Sequence, residues 1–449
     1  MALLYRRAGF GATPAQINDG AARGYAATVE VLLSGLGTAP DPHGDALTPP
    51  AFAPRSPRPG GGDPTAARTA RQAQRATYRK ETPAAQDWWM NRMIVTDTPL
   101  REKLTLIWSG QFATGIAKVA DPQLMYDQNQ LFRRVGGGPF RTLTQAVAQD
   151  PAMMVWLDTA SDNAAHPNEN FARELMELFT MGLGNYSQAD VTAAAQAFTG
   201  YSLSATRSFV YRPRQHAAGT VTFLGTSGDL SGSEVVDILV HQPASARFVV
   251  AAIWSQLAYP VAPDDPVVAD LLGAYHPDEP LAGLLRAVFL HPQFGAAASR
   301  GGLVKQPIAY VAGAARALRL DANLHRLDPS SGLPRVVPGT SALPRLVALA
   351  AALGQTMYDP PSVGGWPPNG YWLNTATALA RLRVGRLMAE VADLSALEAM
   401  TPAARVPAVA ALLGIDGWGP TTAAALAHVA GQPTDLVALA LTAPEYVLA

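Results

Sequence analysis

Apolar residues recur at a period close to 3.6 through most of this chain, and the helices this predicts are punctuated by proline and glycine. In LREKLTLIWSGQF, over 100–112, Leu104, Ile107 and Trp108 fall on one face behind a charged first turn of Arg101, Glu102 and Lys103. Similar periodicity predicts helices over 126–134, 140–148, 187–198, 234–239, 244–257, 281–290, 308–318 and 341–353. The pattern changes over 208–225. There SFVYRP and TVTFLG carry β-branched and aromatic residues around a polar connection holding Arg214, Gln215 and His216, which predicts a β-hairpin. The expected fold class is therefore mainly α, a multi-helix globular body with a small inserted β-hairpin.

Four stretches follow from the same reading: an N-terminal helical segment over 1–37, a Pro/Gly-rich loop or linker over 38–66, a main helical domain over 67–400 and a C-terminal helical segment over 401–449. Arg68, Arg71, Arg75 and Arg79 recur at helical spacing, and a solvated helix face ranks above a polyanion contact there. A formal net charge of −1 gives no global reason to expect nucleic acid. The absence of cysteine excludes thiolate catalysis, disulfides and cysteine-held metal centres. No apolar run reaches the roughly 18 residues a membrane span needs. Read as given, the sequence suggests a soluble cytoplasmic protein, or an exported one if a leader has been removed.

Candidate chemistry concentrates in HPNENFARELMELFTMGLG, over 166–184. At 100° per residue Phe171, Ala172, Leu175, Leu178 and Phe179 form an apolar stripe, and Asn170, Glu174 and Glu177 share a neighbouring sector about 60° wide. Two carboxylates three residues apart repel, so they call for a cation, a metal or a shared proton. One reading is structural, with the pair quenched by arginines such as Arg133, Arg134 or Arg141. The other makes Glu174 and Glu177 catalytic, or makes them ligands of a divalent metal (Mn, Fe or Zn) completed by the imidazole of His216, with Asn170 as a binding residue. His166, before a proline at the helix start, is kept in reserve.

PPSVGGWPPNGYWLN, over 360–374, is too rich in Pro and Gly for regular structure yet carries Trp366, Tyr371 and Trp372. Core anchoring ranks ahead of ligand stacking, but Trp366 and Trp372 remain candidate binding residues for a sugar or other polymer. The glycine runs at 60–62 and 136–138 lack the context of phosphate-binding loops, and no serine nucleophile elbow is present.

Taken together, RRAGFG at Arg6, PLREKLTLIW at Pro99, DPAMMVWLD at Asp150, PNENFARELMELFTMG, Asp190-Val191, AFTGY at Ala197 and PPSVGGW resemble the domain of unknown function 1800 family nearly end to end. The resemblance carries no activity. It implies a bacterial protein, usually exported, often encoded beside a second protein related to the sulfatase and alkaline-phosphatase superfamily. Two departures touch its chemistry. Members commonly have histidines where Ser109 and Gln111 stand here, and an acid and a lysine where Ala217 and Thr220 stand. The expectation for function is an activity yet unknown, with a metal-assisted enzyme built on the helix-borne carboxylates as the leading form. The alternatives are a non-catalytic scaffold for a sulfatase/phosphatase-like partner and a carboxylate-dependent glycoside or polymer hydrolase, whose ligand would be a small molecule or a polymer.

Overall fold

Proline at the first helical position, where a missing N–H costs nothing, opens helix after helix: Pro14–Arg23, Pro99–Gln111, Pro122–Val135, Pro151–Trp156, Pro243–Leu257, Pro307–Ala317, Pro402–Leu412 and Pro433–Thr442. Two of these have an aspartate immediately before that proline, and the side chains of Asp121 and Asp150 accept backbone N–H groups of the first turn. The computed structural model describes residues 1–54, 64–320 and 343–448, and the chain is mainly α, as the periodicity predicts. The helix expected over 341–353 is described from Leu343 onward. Of the four arginines considered above, Arg68, Arg75 and Arg79 are exposed on the long helix Pro64–Val95, and the side chain of Arg71 lies outside the described residues.

Two apolar cores share the body. The first gathers Leu104, Ile107, Trp108, Phe112, Phe171, Leu175, Phe179, Phe198, Val235, Leu239 and Trp254. The second gathers Trp88, Trp89, Leu106, Ile308, Tyr310, Leu353, Trp372, Met388 and Leu441. Helix Pro99–Gln111 is common to both, since Leu104, Ile107 and Trp108 face one core and Leu106 the other. Among the described residues no single helix is long and apolar enough to cross a membrane.

The β structure differs in detail from the single hairpin expected. Tyr201–Leu203 pairs antiparallel with Phe209–Tyr211, and Val221–Phe223 pairs with Thr226–Gly228, so two small hairpins stand in sequence. The reason is local. Pro213 opens a 3-10 turn, Pro213–Gln215, where a strand would need a donor, and the rings of Tyr201 and Phe209 meet edge to face at 5.0 Å.

One buried charge cluster fastens the long helix Pro64–Val95 to helix Pro99–Gln111. Glu102 is fully buried and accepts from Arg92 Nε at 2.9 Å and from Arg133 Nε and Nη2 at 2.5 and 2.9 Å. The same Arg92 donates to Asp41 at 2.9 Å, and Asp41 also accepts from Thr96 Oγ1 at 2.8 Å and from the Asp97 amide at 2.7 Å. A stretch whose Pro/Gly composition gives no reason to place it inside is thereby tied into the interior at Asp41, which is completely buried.

Burial alone would raise the Glu102 carboxyl, but Arg133 and Arg92 outweigh it and hold it below the ordinary carboxylate range. Replacing Glu102 by Gln leaves Arg133 without its carboxylate partner and Arg92 with only Asp41 and Asp45, and a loss of about 3–5 kcal/mol in urea unfolding is expected. Three carboxyls behave oppositely: burial pushes Asp150 and Asp162 up to about 7 and Asp87 up to about 6. These groups keep protons in the folded state that the unfolded chain has released, so stability falls as pH rises from about 4 to about 7. The contribution of Glu102 is lost only as pH drops below its unfolded value near 4. The unfolding temperature should therefore be higher at pH about 5 than at pH about 7.5, and a flat or rising profile over that window would contradict this assignment.

Candidate functional site

Asn168 starts the acidic helix. Its side chain accepts the Asn170 amide at 2.9 Å and donates to Leu157 O at 2.7 Å, which caps the helix and pins its entry. Residues Glu169–Glu174 are α-helical, and Leu175–Thr180 widen into a π-helix. In that turn the Met181 amide reaches back five residues to Met176 O at 2.8 Å, and Thr180 Oγ1 caps Leu175 O at 2.5 Å. Phe171, Ala172, Leu175, Met176 and Phe179 are buried, so packing holds a backbone form that is rare on its own. The change of winding falls between Glu174 and Glu177.

Both glutamates are half-exposed, and Asn170 is exposed on the first turn. Glu177 Oε2 accepts the phenol of Tyr186 at 2.6 Å. Glu174 has no hydrogen bond or ion pair among the described residues, and its carboxyl is raised, first by burial, then by the charge of Glu177, with Arg173 opposing. Of the arginines weighed as partners of the pair, Arg133 and Arg141 are engaged with other acids. Arg133 belongs to Glu102, and Arg141 forms a fork on Asp237 with both bonds at 2.6 Å. Arg173 donates to Gln188 at 2.8 Å and lies 3.6 Å from Glu169. Arg134 is exposed, in the last turn of its helix.

His216 follows the 3-10 turn, half-buried, with Nδ1 3.0 Å from Thr199 O. The same nitrogen lies 3.2 Å from Thr199 Oγ1, so Thr199 holds the ring by both its carbonyl and its hydroxyl. Among the described residues no three His, Asp or Glu side chains are grouped to hold a metal ion, so the metal reading retains the two glutamates as donors without His216 joining them.

The Pro/Gly-rich aromatic loop comes beside the acidic helix. Gln111 donates to Leu178 O at 2.6 Å, and a Cβ on Gly364 would lie 4.0 Å from Leu178 Cδ1, so Leu178 carries the contact one residue beyond Glu177. The three aromatics divide their roles. Trp372 is fully buried and anchors the loop in the second core, Trp366 is half-buried against that core, and Tyr371 is 56% exposed. Of the candidates for stacking, Trp372 has no exposed face. Tyr186 and Gln111 were not legible as site residues: the first sits beyond a glycine turn nine residues from its partner, the second on another helix.

The sequence model of the family described as "Protein of unknown function (DUF1800)" matches residues 3–448, and the chain belongs to that family. Neither a curated protein nor a solved structure matches the chain.

Gly365 fixes the loop against helix Pro99–Gln111. Its φ is +77°, and a Cβ there would collide with Gly110 O. Gly365→Ala should cost about 1–3 kcal/mol in denaturant unfolding, and a neutral result would contradict the close approach of loop and helix.

Proposed function

We propose that this member of the DUF1800 family is an enzyme that works by general acid–base chemistry, with Glu174 as the proton donor and Glu177, bonded to Tyr186, as its ionised partner. The observation that carries the reading is the raised carboxyl of Glu174, half-exposed beside a second carboxylate and, among the described residues, in no ion pair. Two carboxyls whose environments differ are what a site needs to hold an acid and a base at one pH. A π-turn at the same point supports it, because such turns occur often at functional sites. Asn170, exposed on the first turn of the same helix, is the candidate for contact with a small molecule or polymer. The metal-assisted form is the same site with a divalent ion between the two glutamates in place of the proton.

A second reading draws on a different surface. Tyr371, Leu373, Leu379 and Leu382 are each more than half exposed along one stretch of chain, which suits a scaffold that covers them with a separately encoded partner of the sulfatase/phosphatase-like kind.

Labelling by a water-soluble carbodiimide with an amine tag, read by peptide mapping, tests the acid directly, since this reagent needs a protonated carboxyl. At pH about 6, where ordinary glutamates are ionised, Glu174 should be the preferred target, and Glu177→Gln should reduce its labelling. Glu174 labelled no faster than exposed glutamates such as Glu398 would remove the basis for the acid. In a turnover screen against chromogenic glycosides and esters, Glu174→Gln should lose about 10²–10⁴-fold of any activity found while keeping the wild-type unfolding temperature. Stoichiometric metal that disappears in Glu174→Ala would transfer the site to the metal-assisted form.

A further inference from the structure

Where the two cores meet, the N-terminal helix Ala2–Ala8, helix Pro99–Gln111, the end of helix Pro243–Leu257 and the segment 303–309 enclose a cavity of about 340 Å³. Four cationic side chains line it, Arg6, Arg7, Lys103 and Lys305, and no carboxylate does among the described residues. Arg7 is held by the carbonyls of Leu257 at 3.3 Å, Ala258 at 2.8 Å and Ser299, and Arg6 by Gly414 O. Backbone carbonyls fix the guanidinium groups in place. Lys103 and Lys305 have no ion pair and no hydrogen bond at Nζ among the described residues. Instead their ammonium groups lie over rings, Lys103 5.8 Å from the centre of Phe10 and Lys305 3.4 Å from that of Tyr446.

Concentrating like charges around a small, half-apolar cavity is costly, because the interior screens their repulsion far less than water does. The cost shows on the groups themselves. Burial, then Arg7, brings Lys103 down to about 8, and burial, then Arg6, Lys103 and Arg7, hold Lys305 well below its ordinary value. The acid that acts on this group of cations is Asp416, which bears on Arg6 and also lies 3.9 Å from Arg300. At Glu102 a buried charge meets opposite charges, whereas here four cations face open space, an arrangement that an anion would complete.

We propose that this cavity binds a small organic molecule bearing a dianionic oxyanion of the phosphate-monoester class. Two lysines without counter-charge match two negative charges, and three or more terminal oxygens give their ammonium groups acceptors in several directions. Arg6 and Arg7 add charge from fixed positions, and the side chain of Ser255 supplies a neutral hydrogen-bond group. Phe10, Leu106 and Ile107 form an apolar wall, and the cavity is larger than a lone oxyanion requires, so the uncharged body of the molecule packs there. This inference rests on no part of the acid–base reading.

Calorimetry and thermal unfolding of the full chain test it with inorganic phosphate, phenyl phosphate and phenol as probes, at ionic strength matched with chloride. Phenyl phosphate should bind and raise the unfolding temperature, inorganic phosphate should bind at least about tenfold more weakly, and phenol should not bind. Lys103→Met and Lys305→Met should each weaken phenyl phosphate about tenfold or more, and because each removes a repelling charge, neither should lower the unfolding temperature of the unliganded protein. Failure of both phosphates to act beyond chloride on the wild-type chain would overturn the site whether or not the variants fold. Binding undiminished in both variants would also overturn it. Equal affinity for inorganic phosphate and the ester would overturn the claim that the cavity holds an organic body.

Discussion

The carboxylate of Glu102, buried between the guanidinium groups of Arg92 and Arg133, is the interaction on which the rest of the structure depends. It sets the position of helix Pro99–Gln111, and that helix is the shared wall of the molecule. Leu104, Ile107 and Trp108 fill one core, Leu106 fills the other, Lys103 faces the cavity between them, and Gln111 reaches the turn that carries Glu177. A carboxylate taken wholly out of water is tolerated only with its hydrogen bonds satisfied, and Glu102 receives three from the two arginines. Its neighbour Asp41 extends the same compensation to the chain before the long helix.

In contrast to that pairing, like charges gather at two places among the described residues. On the outside, Glu174 and Glu177 share an edge at the switch from α to π winding, and Arg141 and Arg173 are engaged with other acids and amides. Inside, four cations surround a cavity. Each arrangement costs folding free energy relative to a neutral one, and each is held by elements with other structural work: Phe171, Leu175 and Phe179 under the acidic edge, backbone carbonyls behind Arg7. Gln111 touches both places, lining the cavity and bonding the carbonyl of Leu178.

Much of this was legible in the letters, and what was not has a physical reason. Periodicity alone placed Leu104, Ile107 and Trp108 on one face and the glutamates beside the apolar stripe, because side-chain direction along a helix follows from spacing. Asn168, Ser187 and Ser231 cap helices as their residue types suggest. The π-turn left no signature, since a backbone bond reaching back five residues instead of four changes no residue type. Asp41 was misleading by composition: its partner Arg92 stands 51 residues away, across a segment dense in proline and glycine. The pairing of the strands turned on Pro213, which ends one hairpin where the alternating pattern seemed to continue. The cationic cavity draws its groups from three distant segments, so no local pattern in the sequence brings them together.

The proposed acid–base site requires that the charge of the Glu174–Glu177 edge stay uncompensated, so that one carboxyl keeps its proton. Carbon NMR of the glutamate carboxyls, followed through pH with Glu174 assigned by substitution, measures this most directly. The account predicts that Glu174 titrates above the ordinary glutamate value of about 4.3 and moves back toward it in Glu177→Gln. A midpoint at or below that value, unchanged when Glu177 is neutralised, would contradict it.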